Sequence, residues 1–361
     1  MRDRWERLNG PARIAGVDLA RGLAVIGMFA AHLLLTADAF VWGDPSTWST
    51  LVNGRSSILF AVLAGVSIGI VTGGTRPLTG PVMITARLRL VLRGCALWVL
   101  GILLALTGVP VYVILPAYAI LFLLALPFTA LHARTVLVTA AGIAITMPFV
   151  QPLLEAPPLW EGPFGAEAQA FLGWNYPFTV WAAFVLAGLG LARSGLSDPA
   201  TQLRMLAGGA AVSALGSLLG EVRSPGGAYL DAVLSVEPHS AGLPEVIGSG
   251  GFAVAVLGAC LLLCRLRPVV LITLPVRAMG AMPLTAYTLQ LVIWAVASLL
   301  VLGTTSDLFG FVALEPFWPL TIGMMIGCTA WALLVGRGPL EWALARLGRV
   351  ISDPPASRLE A

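Results

Sequence analysis

The stretch RIAGVDLARGLAVIGMFAAHLLLT, residues 13–36, decides the fold of the chain. It is an almost unbroken apolar run with four ionisable side chains, Arg13, Asp18, Arg21 and His32. A helix needs about 20 predominantly apolar residues to cross the hydrocarbon core of a bilayer. The stretch therefore predicts a first transmembrane helix at about 18–38.

The composition extends this prediction to the whole chain. Hydrophobic residues make up 58% of the 361 residues and charged residues 11%, with a mean hydropathy of +0.90. These values are typical of a polytopic integral membrane protein. We predict an all-α fold with about ten transmembrane helices, forming a single domain: a tail at 1–17, a helical bundle at 18–335, and an amphipathic segment and tail at 336–361.

The remaining apolar segments are separated by short connections rich in arginine, proline or tryptophan. Predicted helices lie at about 56–72, 90–107, 111–131, 203–219, 246–264, 279–303 and 317–335, with a fifth helix running to about 153 and a sixth ending at Arg193. In the second helix, Ala61, Gly65 and Gly69 are four residues apart, a spacing that favours close helix packing. An amphipathic segment is predicted at 339–350.

The arginines predict the orientation of the bundle. All 21 basic residues are arginine, and if the N-terminus is cytoplasmic, only Arg55 and Arg223 fall on the outer side. Arginine favours the cytoplasmic connections of membrane proteins. We therefore expect both termini in the cytoplasm, and we attribute the net charge of +3 to this bias rather than to a surface for nucleic acid.

Ionisable groups within a membrane helix are candidates for function because they are costly there. The eleven steps from Arg21 to His32 turn an ideal helix through about 1100° and rise by roughly 16 Å, so both residues lie on one stripe. A histidine can take a proton from a hydroxyl or amine nucleophile, and Arg21 suits a phosphate or carboxylate. The structural alternatives are an interfacial histidine and an arginine that reaches the interface or pairs with Asp18.

Residues of three further segments could contribute to a site. Asn53 and Arg55 precede the second helix, and residues 237–245 include His239, Ser240 and Glu245. The segment at residues 237–245 is either a solvated, turn-rich loop or an acceptor-binding loop with a second acid–base group above His32. Tyr287 and Gln290 share one helix face, where interhelical hydrogen bonds are favoured over substrate contacts.

Three motifs resemble those of known acyltransferases. Asp18-Leu-Ala-Arg21-Gly22, with ten residues between Arg21 and His32, resembles the Arg-x10-His motif of the bacterial membrane acyltransferase-3 family and the first helix of the heparan-alpha-glucosaminide N-acetyltransferase family. NGRSSILFAVLAG, residues 53–65, is similar to the second helix of bacterial members of the latter family. GAMPLTAYTLQ, residues 280–290, is similar to a segment in the C-terminal half of related proteins.

The resemblance implies a transmembrane acyltransferase. Acetyl-CoA or another acyl-CoA would bind from the cytoplasm, and His32 would act as general base in transfer to an extracytoplasmic acceptor such as a cell-envelope glycan or glycolipid. Arg21 would either contact the cofactor phosphates or anchor helix packing. The rise from Arg21 to His32 is compatible with the length of an extended pantetheine arm. Substrate-binding or supporting roles fall to Asp18, Arg55, Asn53, His239, Ser240, Glu245, Tyr287 and Gln290. In the lysosomal enzyme of the heparan-alpha-glucosaminide N-acetyltransferase family, however, the catalytic histidine lies in the first luminal loop. The corresponding loop here, residues 39–55, contains no histidine.

Two other function classes remain open from the sequence. The chain could be a transporter or flippase, or a non-catalytic membrane partner with the same fold. Few intramembrane charges and no evident internal repeat weigh against coupled ion transport. The expected setting is the bacterial cytoplasmic membrane, with membrane lipid, acyl-CoA and the acceptor as partners, no metal and no nucleic acid, and a homodimer left open.

Overall fold

A computed structural model of the protein describes residues 8–10, 13–34, 43–156 and 160–352, apart from the side chains of residues 45–46 and 350–352. Every regular element in these ranges is helical. Eight apolar stretches are long enough to cross a membrane, and two further apolar helices are shorter. The predicted polytopic all-α membrane fold is thus confirmed.

The ten apolar helices follow one another along the chain with short connections. They are α1 (Ala15–Leu33), α2 (Arg55–Val71), α3 (Gly80–Ala105), α4 (Leu115–Ala125), α5 (Ala133–Leu154), α6 (Phe178–Arg193), α7 (Pro199–Gly220), α8 (Leu243–Leu263), α9 (Pro283–Leu302) and α10 (Phe317–Leu334). An eleventh helix, α11 (Pro339–Ser352), follows α10. Short helices lie between these at Gly165–Leu172, Ala228–Val233, Arg267–Ile272, Leu274–Ala281 and Leu308–Val312.

Several helix boundaries differ from the sequence prediction. Helix α3 begins at Gly80, ten residues earlier than predicted. Arg87 and Arg89, which precede the predicted helix, lie within α3, because long arginine side chains can reach polar surroundings from a helix. Helix α9 begins at Pro283 after a separate short helix, because proline is tolerated in a first turn but interrupts a continuing helix. The predicted end of the first helix, at 35–38, lies outside the described residues.

Glycines allow the central helices to approach closely. A Cβ at Gly65 of α2 would lie 1.8 Å from the carbonyl oxygen of Val185 in α6, and one at Gly188 would lie 1.8 Å from that of Val62. The predicted packing role of Gly65 is therefore confirmed. Helices α7 and α8 make a similar glycine-lined contact, and α8 also packs against α1 and α2.

Helix α1 is enclosed by its neighbours along most of its length. Its glycines lie so close to other elements that a Cβ would come within 2.1 to 2.5 Å of them. The contacts are Gly16 with Leu261 of α8, Gly22 with Val276 of the helix Leu274–Ala281, and Gly27 with Ser56 of α2. The ionisable residues of α1 are consequently held at fixed positions inside the bundle.

Arg193 is a buried cross-link that the sequence analysis did not single out. It is the last residue of α6 and is 5% exposed. Its Nη1 donates to the carbonyls of Gly69 and Gly74, and its Nη2 donates to Thr72 and to the carbonyl of Thr129. The guanidinium thereby ties the end of α2 to the turn that follows α4 and satisfies backbone acceptors left over where helices end.

Helix α11 is the amphipathic segment predicted at 339–350, and it packs against α3 and α9. The carboxylate of Glu341 accepts hydrogen bonds from the backbone amides of Leu284 and Thr285, at 2.8 and 3.1 Å. It also accepts one from the Thr285 hydroxyl. A carboxylate at a helix N-terminus satisfies free amides and complements the helix dipole, so α11 caps α9.

Candidate active site

A cavity of about 190 Å³ lies where the C-terminal end of α1 meets the N-terminal end of α2. Four of the residues predicted for the site line it, namely His32, Asn53, His239 and Tyr287. Ser56, Ser57, Tyr112 and Tyr176 are also in its wall. The fold thus brings together polar groups from α1, α2, α9 and four connections, which are far apart in the sequence.

The imidazole of His32 contacts helix α9. Its Nδ1 lies 3.2 Å from the side-chain amide nitrogen of Gln290, which is fully buried. The ring of Trp294, one turn further along α9, has its centroid 6.5 Å from that of His32. Gln290 therefore makes the interhelical hydrogen bond that the sequence predicted, and its partner is the histidine proposed as general base.

Glu245 holds the loop that carries His239. His239 and Ala241 both have positive φ angles, 66° and 56°, which side-chain-bearing residues rarely adopt. The Glu245 carboxylate accepts the backbone amide of His239 at 2.7 Å and that of Ala241 at 2.8 Å, and the Ser240 hydroxyl lies 3.4 Å from it. The loop predicted at 237–245 is therefore built around a buried carboxylate rather than freely solvated.

Aromatic rings flank the imidazole of His239. Tyr176 contacts it edge-on with 5.3 Å between ring centroids, and Trp181 lies parallel to it at 6.5 Å. Although His239 remains exposed at the cavity, this packing removes part of its hydration and lowers its pKa below the ordinary value. The neutral imidazole is accordingly favoured, and it can accept a proton.

Asn53 and Arg55 lie on different sides of the start of α2. Asn53 lines the cavity. The guanidinium of Arg55 lies 5.5 Å from the ring centroid of Phe252 in α8 and interacts electrostatically with Glu245. Arg55 is outside the cavity lining. It is linked to the site by its electrostatic interaction with Glu245, which holds the loop that carries His239.

The other end of α1 carries an ion-pair cluster. The buried carboxylate of Asp18 accepts two hydrogen bonds from Arg13, at 2.8 and 3.0 Å, and one from Arg21 at 3.3 Å. Arg21 also donates to the hydroxyl of Ser67 in α2 at 2.9 Å. The pairing of Arg21 with Asp18, left open by the sequence, is thus present, and the cavity lining at His32 does not include Arg21.

Several residues around the site carried no recognisable sequence signal. Tyr112 and Tyr176 reach the cavity from connections, and the Tyr176 hydroxyl donates to the Tyr112 carbonyl at 3.1 Å. Trp181 and Trp294 look like ordinary apolar residues of membrane helices. Among the described residues, no group of three or more histidine, cysteine or acidic side chains could hold a metal ion.

Residues 13–221 match a family model described as heparan-alpha-glucosaminide N-acetyltransferase, catalytic. The match covers more than half of the chain. The chain belongs to this family. No curated protein and no solved structure is significantly similar to it.

Membership in the heparan-alpha-glucosaminide N-acetyltransferase family supports a membrane acetyltransferase kind of function with an acyl-CoA co-substrate. The matched residues include Arg21, His32 and Asn53. His239 and Gln290 lie beyond the matched residues, yet they face or contact His32. The cavity is therefore completed by a part of the chain that the family model does not describe.

Proposed function

We propose that the protein transfers an acetyl group from cytoplasmic acetyl-CoA to an extracytoplasmic acceptor, a cell-envelope glycan or glycolipid, in the cytoplasmic membrane of a bacterium. The observation that carries the proposal is the cavity in which His32 and His239 meet, within a chain of an acetyltransferase family. The arginine distribution supports an outward-facing cavity, since it favours a cytoplasmic N-terminus.

In the proposed reaction His32 is the general base. The acceptor hydroxyl or amine gives its proton to a ring nitrogen of His32 as its oxygen or nitrogen bonds to the acetyl carbonyl carbon. The carbon–sulfur bond then breaks, and the proton held by His32 neutralises the departing CoA thiolate. General base catalysis of this kind contributes typically about 10²- to 10⁴-fold in rate.

The neighbours of His32 suit an acceptor rich in hydroxyl groups. Asn53, Ser56 and Tyr112 are in the cavity wall with the two histidines. Side chains of these types donate and accept hydrogen bonds, and aromatic rings supply apolar faces. These features support a sugar-like acceptor, with His239 opposite His32 as a second proton acceptor.

The phosphates of the CoA donor are assigned to the opposite end of α1. Arg21 lies in electrostatic range of Arg13 and Arg93, and Arg277 interacts with Asp18 and Arg13. The carboxylates of Asp18 and Glu341 offset part of this positive charge. The excess positive charge supports binding of an anion, because arginine matches phosphate geometry well.

Transfer is tested with the purified full-length protein in lipid nanodiscs, labelled acetyl-CoA and a panel of amino sugars and glycolipids. We expect acetyl transfer or slow acetyl-CoA hydrolysis, and a loss of at least about 100-fold in the His32→Ala variant. His132→Ala is the matched control, since His132 is exposed beside α5 and lies outside the cavity lining.

Two results would contradict the proposal. One is an absence of detectable CoA binding by the folded wild-type protein. The other is transfer that proceeds equally in the wild type and the His32→Ala variant. Movement of a lipid or solute across the bilayer of proteoliposomes that contain the purified protein, without acetylation, would instead favour a transporter.

A further inference from the structure

Gln290 is placed so that it can control the protonation of His32. It lies on α9, has no exposed surface, and its Nε2 is 3.2 Å from Nδ1 of His32. Its Oε1 is also buried and has no hydrogen-bond partner. Buried amide oxygens in membrane helices normally have partners, so this unpaired oxygen beside a histidine requires an explanation.

The two ends of a glutamine amide have nearly the same shape, and rotation by 180° exchanges them. With Nε2 of Gln290 toward His32, Nδ1 must be unprotonated and the proton of a neutral ring lies on the His32 Nε2. With Oε1 toward His32, Nδ1 carries the proton and donates it to the amide oxygen. In the second arrangement Oε1 accepts the Nδ1–H and a lone pair remains on the His32 Nε2, while the Gln290 amide nitrogen takes the position that Oε1 has in the first arrangement.

We propose that Gln290 is a positioning residue that holds His32 in the tautomer with a proton on Nδ1, so that Nε2 can accept a proton from a group in the cavity. After Nε2 has taken a proton, the Nδ1–H still donates to the amide oxygen of Gln290, which supports the cationic ring. Histidines commonly have one nitrogen fixed in this way by a second group. This inference rests on the proposed role of His32 as base.

Few other titratable groups face His32. Across the cavity lies His239, which interacts electrostatically with it. The tyrosines Tyr112, Tyr176 and Tyr287 also line the cavity. Neighbouring Trp294 of α9 carries no charge. Among the described residues, Gln290 is therefore the polar side chain in direct hydrogen-bond contact with the His32 ring.

The chain contains three histidines, which permits a direct measurement on His32. His132→Gln and His239→Gln together leave a single imidazole in the full-length protein. Nitrogen-15 NMR of histidine-labelled protein in nanodiscs then reports which ring nitrogen carries the proton and at which pH the ring titrates. We expect the Nδ1–H tautomer to predominate with Gln290 present, and the Nε2–H tautomer to increase in Gln290→Leu.

Gln290→Glu provides a variant that keeps a hydrogen-bond acceptor at the same place. A carboxylate beside an imidazole stabilises the charged ring, so we expect the titration of His32 to move upward by about one pH unit or more. Gln202→Leu is the matched control, because it removes another buried amide, one that bonds to the Leu196 carbonyl away from the cavity. It should leave the His32 signals unchanged.

Activity measurements separate this inference from the proposed function. In an otherwise native chain we expect Gln290→Leu to lower kcat at unchanged KM for acetyl-CoA, and Gln290→Glu to shift the pH–rate profile upward. Identical tautomer populations and titration of His32 in the wild type and in both Gln290 variants would overturn the inference. If the wild type transfers no acetyl group, the proposed function fails, whereas the NMR result still decides the role of Gln290.

Discussion

At the mouth of the cavity, His239 occupies a backbone conformation that costs free energy for a residue with a side chain. Its φ of 66° and that of Ala241, 56°, persist because a buried carboxylate accepts both backbone amides. Such conformations typically cost about 1–3 kcal/mol each and require support from surrounding structure. Glu245 supplies that support, so its contribution to the site is to the shape of the loop.

Replacing Glu245 by alanine should therefore release the loop. We expect the free energy of unfolding to fall by about 2–4 kcal/mol, because the backbone amides of His239 and Ala241 lose their acceptor. Thermal unfolding of the purified protein measures this loss. Glu237→Ala, which removes an exposed carboxylate from the same loop, is the matched control, and equal unfolding temperatures for both variants would show that Glu245 does not hold the loop.

The lowered pKa of His239 predicts a pH dependence of stability. The unfolded chain binds a proton at this residue more readily than the folded chain, since the folded pKa lies below the ordinary value of about 6.5. The contribution of His239 is thus fully present above about pH 6.5 and is lost as the pH falls through the folded pKa. We measure the unfolding temperature as a function of pH. We expect it to fall less in His239→Gln than in the wild type as the pH is lowered.

The comparison for that experiment is His132→Gln, which removes a histidine from an exposed position. Its acid dependence should follow that of the wild type. If His239→Gln and His132→Gln have superimposable pH profiles, the packing of His239 between Tyr176 and Trp181 has no effect on its protonation.

At the scale of helices, the contact between α2 and α6 depends on two glycines, Gly65 and Gly188, which have no side chain. The carbonyl oxygens of Val185 and Val62 occupy the places where Cβ atoms of Gly65 and Gly188 would stand. Helices in a membrane gain little from burying apolar surface against one another, so close backbone approach and dispersion contacts carry much of their association. Helix α2 also begins at the cavity, which makes this contact part of what fixes Asn53.

Gly65→Ala should accordingly be destabilising. The added methyl group meets backbone rather than a movable side chain, and overpacking of this kind costs about 1–3 kcal/mol or more. Gly142→Ala is the control, because nothing lies within 4 Å of a Cβ at that position of α5. Alanine there should stabilise the helix by up to about 1 kcal/mol, and a similar unfolding temperature for the two variants would argue against a tight α2–α6 contact.

The sequence predicted the existence of all ten helices but not all of their ends. Periodicity is of little use in helices that are apolar on every side, so boundaries were inferred from charges and prolines. This worked for α2 and α10, whereas arginines inside α3 were mistaken for a connection. The helix predicted at 279–303 contains Pro283, whereas in the structure this proline marks the break between Leu274–Ala281 and α9.

The site was predicted in part for a related reason. Ionisable residues in apolar surroundings stand out, which is why His32 and Arg21 were identified from the sequence. Aromatic residues do not stand out in a membrane protein, so Tyr176, Trp181 and Trp294 were missed as neighbours of the two histidines. The sequence left open whether the loop with His239 lies over His32, because that contact joins distant segments and no local pattern encodes it.

At the scale of the whole molecule, the proposed reaction requires the two ends of α1 to face opposite compartments. Arg134, in the first turn of α5, and Arg223, after α7, provide matched exposed positions for a test of orientation. In a variant without the four native cysteines, we expect Arg223→Cys to react with a membrane-impermeant maleimide in intact cells. Arg134→Cys should react only after the membrane is opened.

The reverse labelling pattern would place His32 and the cavity in the cytoplasm and would remove the need for transfer across the membrane. Labelling of both positions in intact cells would show that the predicted topology is wrong. Labelling after permeabilisation serves as the positive control for each cysteine, because both arginines are exposed in the folded protein.

The backbone contact at Gly54 also has a consequence for substrate selection. Gly54 has a φ of 70°, and a Cβ there would lie 3.1 Å from the Cβ of Pro238, so two segments of the cavity rim meet in a contact that an added side chain would strain. A cavity of about 190 Å³ holds on the order of six water molecules. Since part of its rim is main chain, which cannot change rotamer, the cavity should act as a size filter that excludes bulky acceptors instead of adapting to them.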